Sequence, residues 1–121
     1  MSATRNLVVV VTHGTEHELS SVAFTIANGG ITAGLTVSVF LTSAGVDLAR
    51  RRAIDLTHVA PLDPLAQLVA DFIQRGGRVW ACTPCVKSRG YTQADFLPGI
   101  EVAGASVMHA QILEGAATLS F

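Results

Sequence analysis

Five consecutive apolar residues, Leu7-Val8-Val9-Val10-Val11, four of them β-branched, limit what this chain can become more than any other feature. A strand with one wet face alternates apolar and polar residues. This run does not, so both of its faces must be covered, as in a parallel sheet held between helix layers. The polar turn Thr12-His13-Gly14-Thr15 follows, and then apolar residues recur at Leu19, Val22, Ala23, Ile26 and Ala27. That spacing is helical, and Gly29-Gly30 predicts its stop. Strand followed by helix begins a βαβ unit.

The same reading carries to the end of the chain. Leu35 to Leu41 is β-rich and ends in a turn around Ser43-Ala44-Gly45. Val46 to Pro64 reads as a long irregular connection, with Arg50-Arg51-Arg52 in a short helix whose charged face is solvated, or else docks an acidic partner. Leu65, Leu68, Val69, Phe72 and Ile73 form the cleanest amphipathic helix, closed by Gly76-Gly77. Arg78 to Cys82 is a third strand, Gly99 to Val102 a fourth and Ala117 to Phe121 a fifth, with a last helix marked by Val107, Met108, Gln111 and Ile112. The predicted architecture is a three-layer α/β/α sandwich with a mainly parallel five-stranded sheet, formed by residues 1–121 as one domain.

Composition narrows the function classes. Half of the 121 residues are hydrophobic and only 14% are charged, which leaves little polar surface for an isolated small domain and predicts a homo-oligomer. A formal net charge of -1 gives no electrostatic reason to expect nucleic acid or an anionic membrane as partner. The polar start Met1 to Asn6 runs into an apolar stretch too short for a signal-peptide core, and no run reaches transmembrane length. The expectation is therefore a soluble, cytoplasmic protein.

In that compartment thiols stay reduced, so the two cysteines, Cys82 and Cys85 in Cys82-Thr83-Pro84-Cys85, read as reactive or metal-binding rather than as a structural staple. Cys82 falls at the carboxyl end of the third strand, where functional groups gather in open α/β sheets. A helix beginning at Pro84, with Lys87 and Arg89 nearby, favours a thiolate there. Thiol redox exchange, sulfur transfer through a persulfide on Cys82 and half of a zinc site all fit the pair, as does burial of both as small apolar side chains. Zinc is disfavoured, because no second cysteine pair exists and His13, His17, His58 and His109 are scattered, so neither metal nor cofactor is expected. The Thr-Pro spacer matches the thioredoxin motif, but it lies late in the chain and no proline opens a later strand. His13, His17, Trp80, Lys87 and Arg89 are candidates for a pocket around the sulfur. The competing readings are solvated loop histidines and a Trp80 packed in the core.

The segment Val79-Trp80-Ala81-Cys82-Thr83-Pro84-Cys85, with Arg89-Gly90-Tyr91, Gly99-Ile100-Glu101-Val102 and Leu119-Ser120-Phe121, resembles the DsrE/DsrF-like family, most closely its YchN-like branch. The likeness extends to the Leu7–Val11 and Val37–Leu41 strands and Gly45-Val46. The resemblance implies compact α/β/α subunits assembled as trimers or hexamers, and a sulfur relay with a donor or acceptor protein as partner. It also implies a persulfide on Cys82. Cys85 matches the second cysteine of the YchN-like branch, which TusD-type carriers lack, and is implied as an auxiliary thiol. The alternatives are a dithiol oxidoreductase, or a noncatalytic oligomeric module binding a small ligand.

Overall fold

The computed structural model describes residues 5–121; the polar start at Met1–Thr4 lies outside them. Five strands, β1 (Asn6–Val11), β2 (Thr36–Leu41), β3 (Arg78–Cys82), β4 (Ile100–Ala103) and β5 (Ala117–Ser120), form one sheet in the order β4-β3-β2-β1-β5. Every neighbouring pair is parallel. The unbroken apolar run is thus an interior strand paired on both edges. Four α-helices lie among the described residues, α1 (Glu18–Thr32), α2 (Leu65–Gln74), α3 (Thr83–Ser88) and α4 (Ser106–Leu113).

Side-chain contacts set the layers. Leu7 and Val37 lie against α1, while Asn6, whose side chain leaves the opposite face of β1, donates from Nδ2 to Gln111 Oε1 of α4 at 2.7 Å. Phe24 of α1 and Phe72 of α2 meet edge to face, with ring centroids 5.8 Å apart, so α1 and α2 share a layer and α4 forms the other. This is the three-layer α/β/α sandwich with an all-parallel sheet. The core gathers Val9, Val11, Val39, Leu41, Phe24, Leu65 and Phe72, all buried.

Two local expectations are corrected. Gly29-Gly30 does not stop α1, which runs on to Thr32, with Ala33 as its cap and Gly34 at φ 98°. Gly30 is instead a packing residue: a Cβ there would sit 2.9 Å from Val37 Cγ2 and 3.2 Å from Leu7 Cδ2, closer than the helix and sheet allow. The second correction concerns the connection after β2. It begins with a regular 3-10 helix over Ser43–Ala49, while the arginines beyond it are not helical. Arg50 makes an isolated antiparallel bridge to Phe96 and lies over the Tyr91 ring, 4.6 Å from its centroid.

Among the described residues no helix is long and apolar enough to cross a membrane.

Candidate functional site

Cys82 is the last residue of β3 and the N-cap of α3, and Pro84 occupies the first turn of that helix. The strand therefore delivers the first thiol to the carboxyl edge of the sheet, and one helical turn brings back the second. Both cysteines are free. Their surroundings differ. Cys82 is 8% exposed and packs into the core, whereas Cys85 is half-buried.

The neighbouring strand β2 ends beside them. Ser43 N–H donates to Cys85 Sγ at 3.2 Å, and Thr42 Oγ1 lies 3.6 Å from the same sulfur. For that N–H to point at the sulfur, Ser43 adopts φ 54°, a left-handed conformation that costs a residue with a side chain roughly 1–3 kcal/mol. The turn is held in place from behind. Thr42 N–H donates to Val11 O at 3.0 Å, Gly45 N–H donates to Thr42 O at 2.9 Å, and Gly45 lies so close to β1 that a Cβ would collide with the Val11 carbonyl.

These contacts hold the Cys85 thiol below its ordinary pKa. The Thr42 hydroxyl contributes most; the Ser43 N–H, the neighbouring Cys82 thiol and the Arg89 cation add to it, while partial burial works in the opposite direction. Arg89 is itself positioned: its Nε lies 3.7 Å from Asp47 Oδ1, the oxygen that also accepts from Tyr91 Oη at 2.7 Å. The Tyr91 phenol is pushed above its usual range by that hydrogen bond, by burial and by the Asp47 charge.

A separate depression opens at the same sheet edge behind the 3-10 helix. It has a volume of about 490 Å³ and is lined by Thr12 to His17 with Ala44 and Asp47. His13 and His17 stack there with ring centroids 3.9 Å apart. His17 Nδ1 accepts from Leu19 N–H at 3.1 Å and so caps α1, while His13 Nδ1 is buried without a hydrogen-bond partner.

Of the pocket residues proposed from sequence, the structure joins His13 to His17 but not to Trp80, Lys87 or Arg89. Trp80, 3% exposed, belongs to the core, Lys87 is exposed on α3, and Arg89 meets the depression only through Asp47. No group of three or more His, Cys, Asp or Glu suited to a metal ion occurs among the described residues. Sequence reasoning did not single out Thr42, Ser43 or Asp47 as site residues, and it used Tyr91 only as part of the Arg89-Gly90-Tyr91 motif. Thr42 and Ser43 had a usable signal, because the end of a neighbouring parallel strand must lie beside the end of β3; Asp47 had none.

The comparisons with known proteins agree with this architecture. The uncharacterized protein MK0008 of Methanopyrus kandleri is 29% identical over 91 residues, covering 75% of this chain and 70% of that protein. The uncharacterized protein MJ0760 of Methanocaldococcus jannaschii is 27% identical over 82% of this chain, which spans only 36% of that relative. Two solved structures share the fold. The ychN protein from E. coli matches with a TM-score of 0.79 at 16% identity, over 98% of this chain and all of the other. MTH1491 from Methanobacterium thermoautotrophicum matches with a TM-score of 0.77 at 18% identity, over 97% and 99% of the two chains. The DsrE/DsrF-like family model matches residues 5–121, and the chain belongs to the DsrE/DsrF-like family.

Proposed function

We propose that this protein is a sulfur-relay protein, a single domain over residues 1–121, that takes up a sulfane sulfur as a persulfide at the Cys82–Cys85 pair. The observation that carries the reading is the hydrogen-bonded state of Cys85, whose sulfur meets Ser43 N–H at 3.2 Å and Thr42 Oγ1 at 3.6 Å. A thiolate is the nucleophile in sulfur exchange, and these donors favour it. Membership of the DsrE/DsrF-like family supports the same class of chemistry.

The sequence reading puts the persulfide on Cys82 with Cys85 as auxiliary thiol; the greater exposure of Cys85 and its hydrogen bond from Ser43 N–H support the reverse assignment, with Cys85 as the receiving thiol. Cys82, 8% exposed, offers a donor protein little to reach, so its part is that of the auxiliary thiol behind Cys85. In uptake, the Cys85 thiolate attacks the outer sulfur of a donor persulfide. The donor's sulfur–sulfur bond breaks, a new one forms on Cys85, and the donor leaves as a thiolate. No net oxidation occurs. Delivery to an acceptor thiolate is the same exchange in the other direction, and it would make the protein a sulfurtransferase.

The partners in this reading are a sulfur donor or acceptor protein and further copies of the chain. Self-association is supported by the α4–β5 side, where α4 buries no residue and Leu113 and Leu119 are 88% and 42% exposed. A trimer or hexamer is the assembly proposed. A reducing, cytoplasmic compartment suits two free thiols.

One observation favours a second reading. The Cys82 thiol lies close enough to Cys85 to influence its ionisation, so the pair could instead exchange between dithiol and disulfide with a protein disulfide as oxidant.

Mass spectrometry after incubation with a cysteine desulfurase and cysteine separates the two. The relay requires one added sulfur atom on the Cys85 peptide of the wild type and none in Cys85→Ser. No adduct on either cysteine, together with a disulfide under mild oxidant, would replace the relay with dithiol exchange.

A further inference from the structure

We infer that the Thr42–Ser43 turn is a preformed cradle for negative charge on Cys85 Sγ, with Thr42 as its positioning residue, and that it makes Cys85 a transit point for sulfur rather than a store. The inference rests on the relay reading for its second half only. Its first half concerns the free thiol.

Ser43 N–H and Thr42 Oγ1 both address Sγ, at 3.2 and 3.6 Å. The backbone is strained to aim the first of them, since Ser43 lies at φ 54°. The turn cannot relax easily, because Thr42 N–H is tied to Val11 O at 3.0 Å and Gly45 is pressed against the same carbonyl. Fixed donors stabilise charge at the position they address and contribute least once that charge has moved. In the free thiolate the charge is on Sγ. In the persulfide it lies mainly on the outer sulfur, one bond beyond the donors.

The cradle therefore stabilises Cys85 before uptake and after delivery, and contributes less to the loaded state between them. A thiol with a lowered pKa is also a better leaving group, so an acceptor attacking the outer sulfur expels Cys85 more readily. Uptake at neutral pH is quickened by the larger thiolate fraction and release by the better leaving group, while the loaded state is the less stabilised of the two. The other ionisable groups that act on the sulfur are Cys82 at the end of β3 and Arg89, the C-cap of α3. Arg89 is held by Asp47 of the 3-10 helix at 3.7 Å. Substitutions at Thr42 leave all of these unchanged.

The test uses the full two-cysteine chain and reads Cys85 by fragment-ion masses, which separate it from Cys82 within their shared peptide. Thr42→Val should raise the midpoint of the pH profile of Cys85 alkylation and slow alkylation at neutral pH by roughly three- to tenfold, the scale of one hydrogen bond to a charged group in a partly exposed site. Thr42→Ser, which keeps the hydroxyl, should restore most of the rate. In the second measurement, glutathione persulfide is equilibrated with each variant at a pH above the Cys85 midpoint. Thr42→Val should then show higher persulfide occupancy than wild type, because only the free thiolate has lost a donor.

Slower alkylation with higher occupancy is a pair that damage to the fold does not produce. An unmoved midpoint, or a Thr42→Ser variant as impaired as Thr42→Val, overturns the cradle. A raised midpoint with occupancy that falls or stays level overturns the transit role and leaves the cradle standing. If Thr42→Val does not fold, Thr42→Ala is judged by the same readouts. Wild-type protein that takes up no sulfur at all defeats the relay reading instead, and the alkylation profiles still decide the cradle.

Discussion

Two loops leave the carboxyl edge of the sheet side by side, and they are built in opposite ways. The turn after β2 is tied down at every point: Thr42 and Gly45 are hydrogen-bonded in sequence behind Ser43, and the N–H they aim meets a sulfur. The loop after β1 carries two stacked histidines beside an open depression of about 490 Å³, yet one caps a helix and the other has a buried nitrogen without a partner. The histidine loop has the better topological address, since the strand order reverses between β1 and β5 and ligands usually bind at such a reversal. The cysteine pair has the better chemistry. Position in a fold nominates a site, whereas fixed donors around a reactive atom build one.

The largest expected effect tests which region carries function. Cys85→Ser should abolish sulfur uptake in the desulfurase assay, while His13→Ala and His17→Ala should retain it within about twofold, since neither ring touches the thiols. Loss of uptake in the histidine variants would move the reacting site to the depression.

A pair of glycines tests the rigidity difference directly. Gly45→Ala forces a methyl group into the Val11 carbonyl and should destabilise the fold by about 2–4 kcal/mol, read from the denaturant midpoint. Gly14→Ala puts its methyl 3.4 Å from Ala44 O, an ordinary contact, and should change stability by less than about 0.5 kcal/mol. Equal losses at the two positions would erase the contrast.

Ionisation gives the next effect. Cys85 has a lower pKa in the folded chain than an ordinary thiol, so its thiolate adds stability. That contribution is complete above the ordinary thiol pKa and is lost as pH falls through the folded value. Between those two pH values wild type should gain stability relative to Cys85→Ser as pH rises, in denaturant titrations across the window. Parallel curves would mean that the cradle is not holding charge.

The smallest effect belongs to the histidine loop. His17→Ala removes the side-chain acceptor of Leu19 N–H and should cost α1 about 0.5 kcal/mol, with His17→Asn restoring it. A larger loss would reveal that the loop is more firmly built than its contacts indicate.

Much of the architecture was legible because it follows from local rules. The unalternating run at Leu7–Val11, the period-3.6 stripe through Phe72 and the strand Arg78–Cys82 each admit one arrangement, and all three occur as read. What misled was chemistry with two physical uses. Gly29-Gly30 has the composition of a helix stop, but a glycine also lets a helix approach a sheet, and only Val37 and Leu7 reveal that use. The arginine run likewise has helix-compatible residues, and its extended geometry comes from a bridge to Phe96, far away in sequence.

The candidate site divides in the same way. Sequence determined that two thiols would stand at a strand-to-helix junction, because the strand pattern, Pro84 and the cysteine spacing are encoded within a few neighbouring residues. Which thiol would be the more accessible and which hydrogen-bonded was decided by the tertiary structure alone: the donors arrive from Thr42 and Ser43, just past the end of β2, and the cation is held by Asp47. Local pattern fixes where a side chain starts, but its ionisation depends on neighbours that only packing brings within a few ångströms.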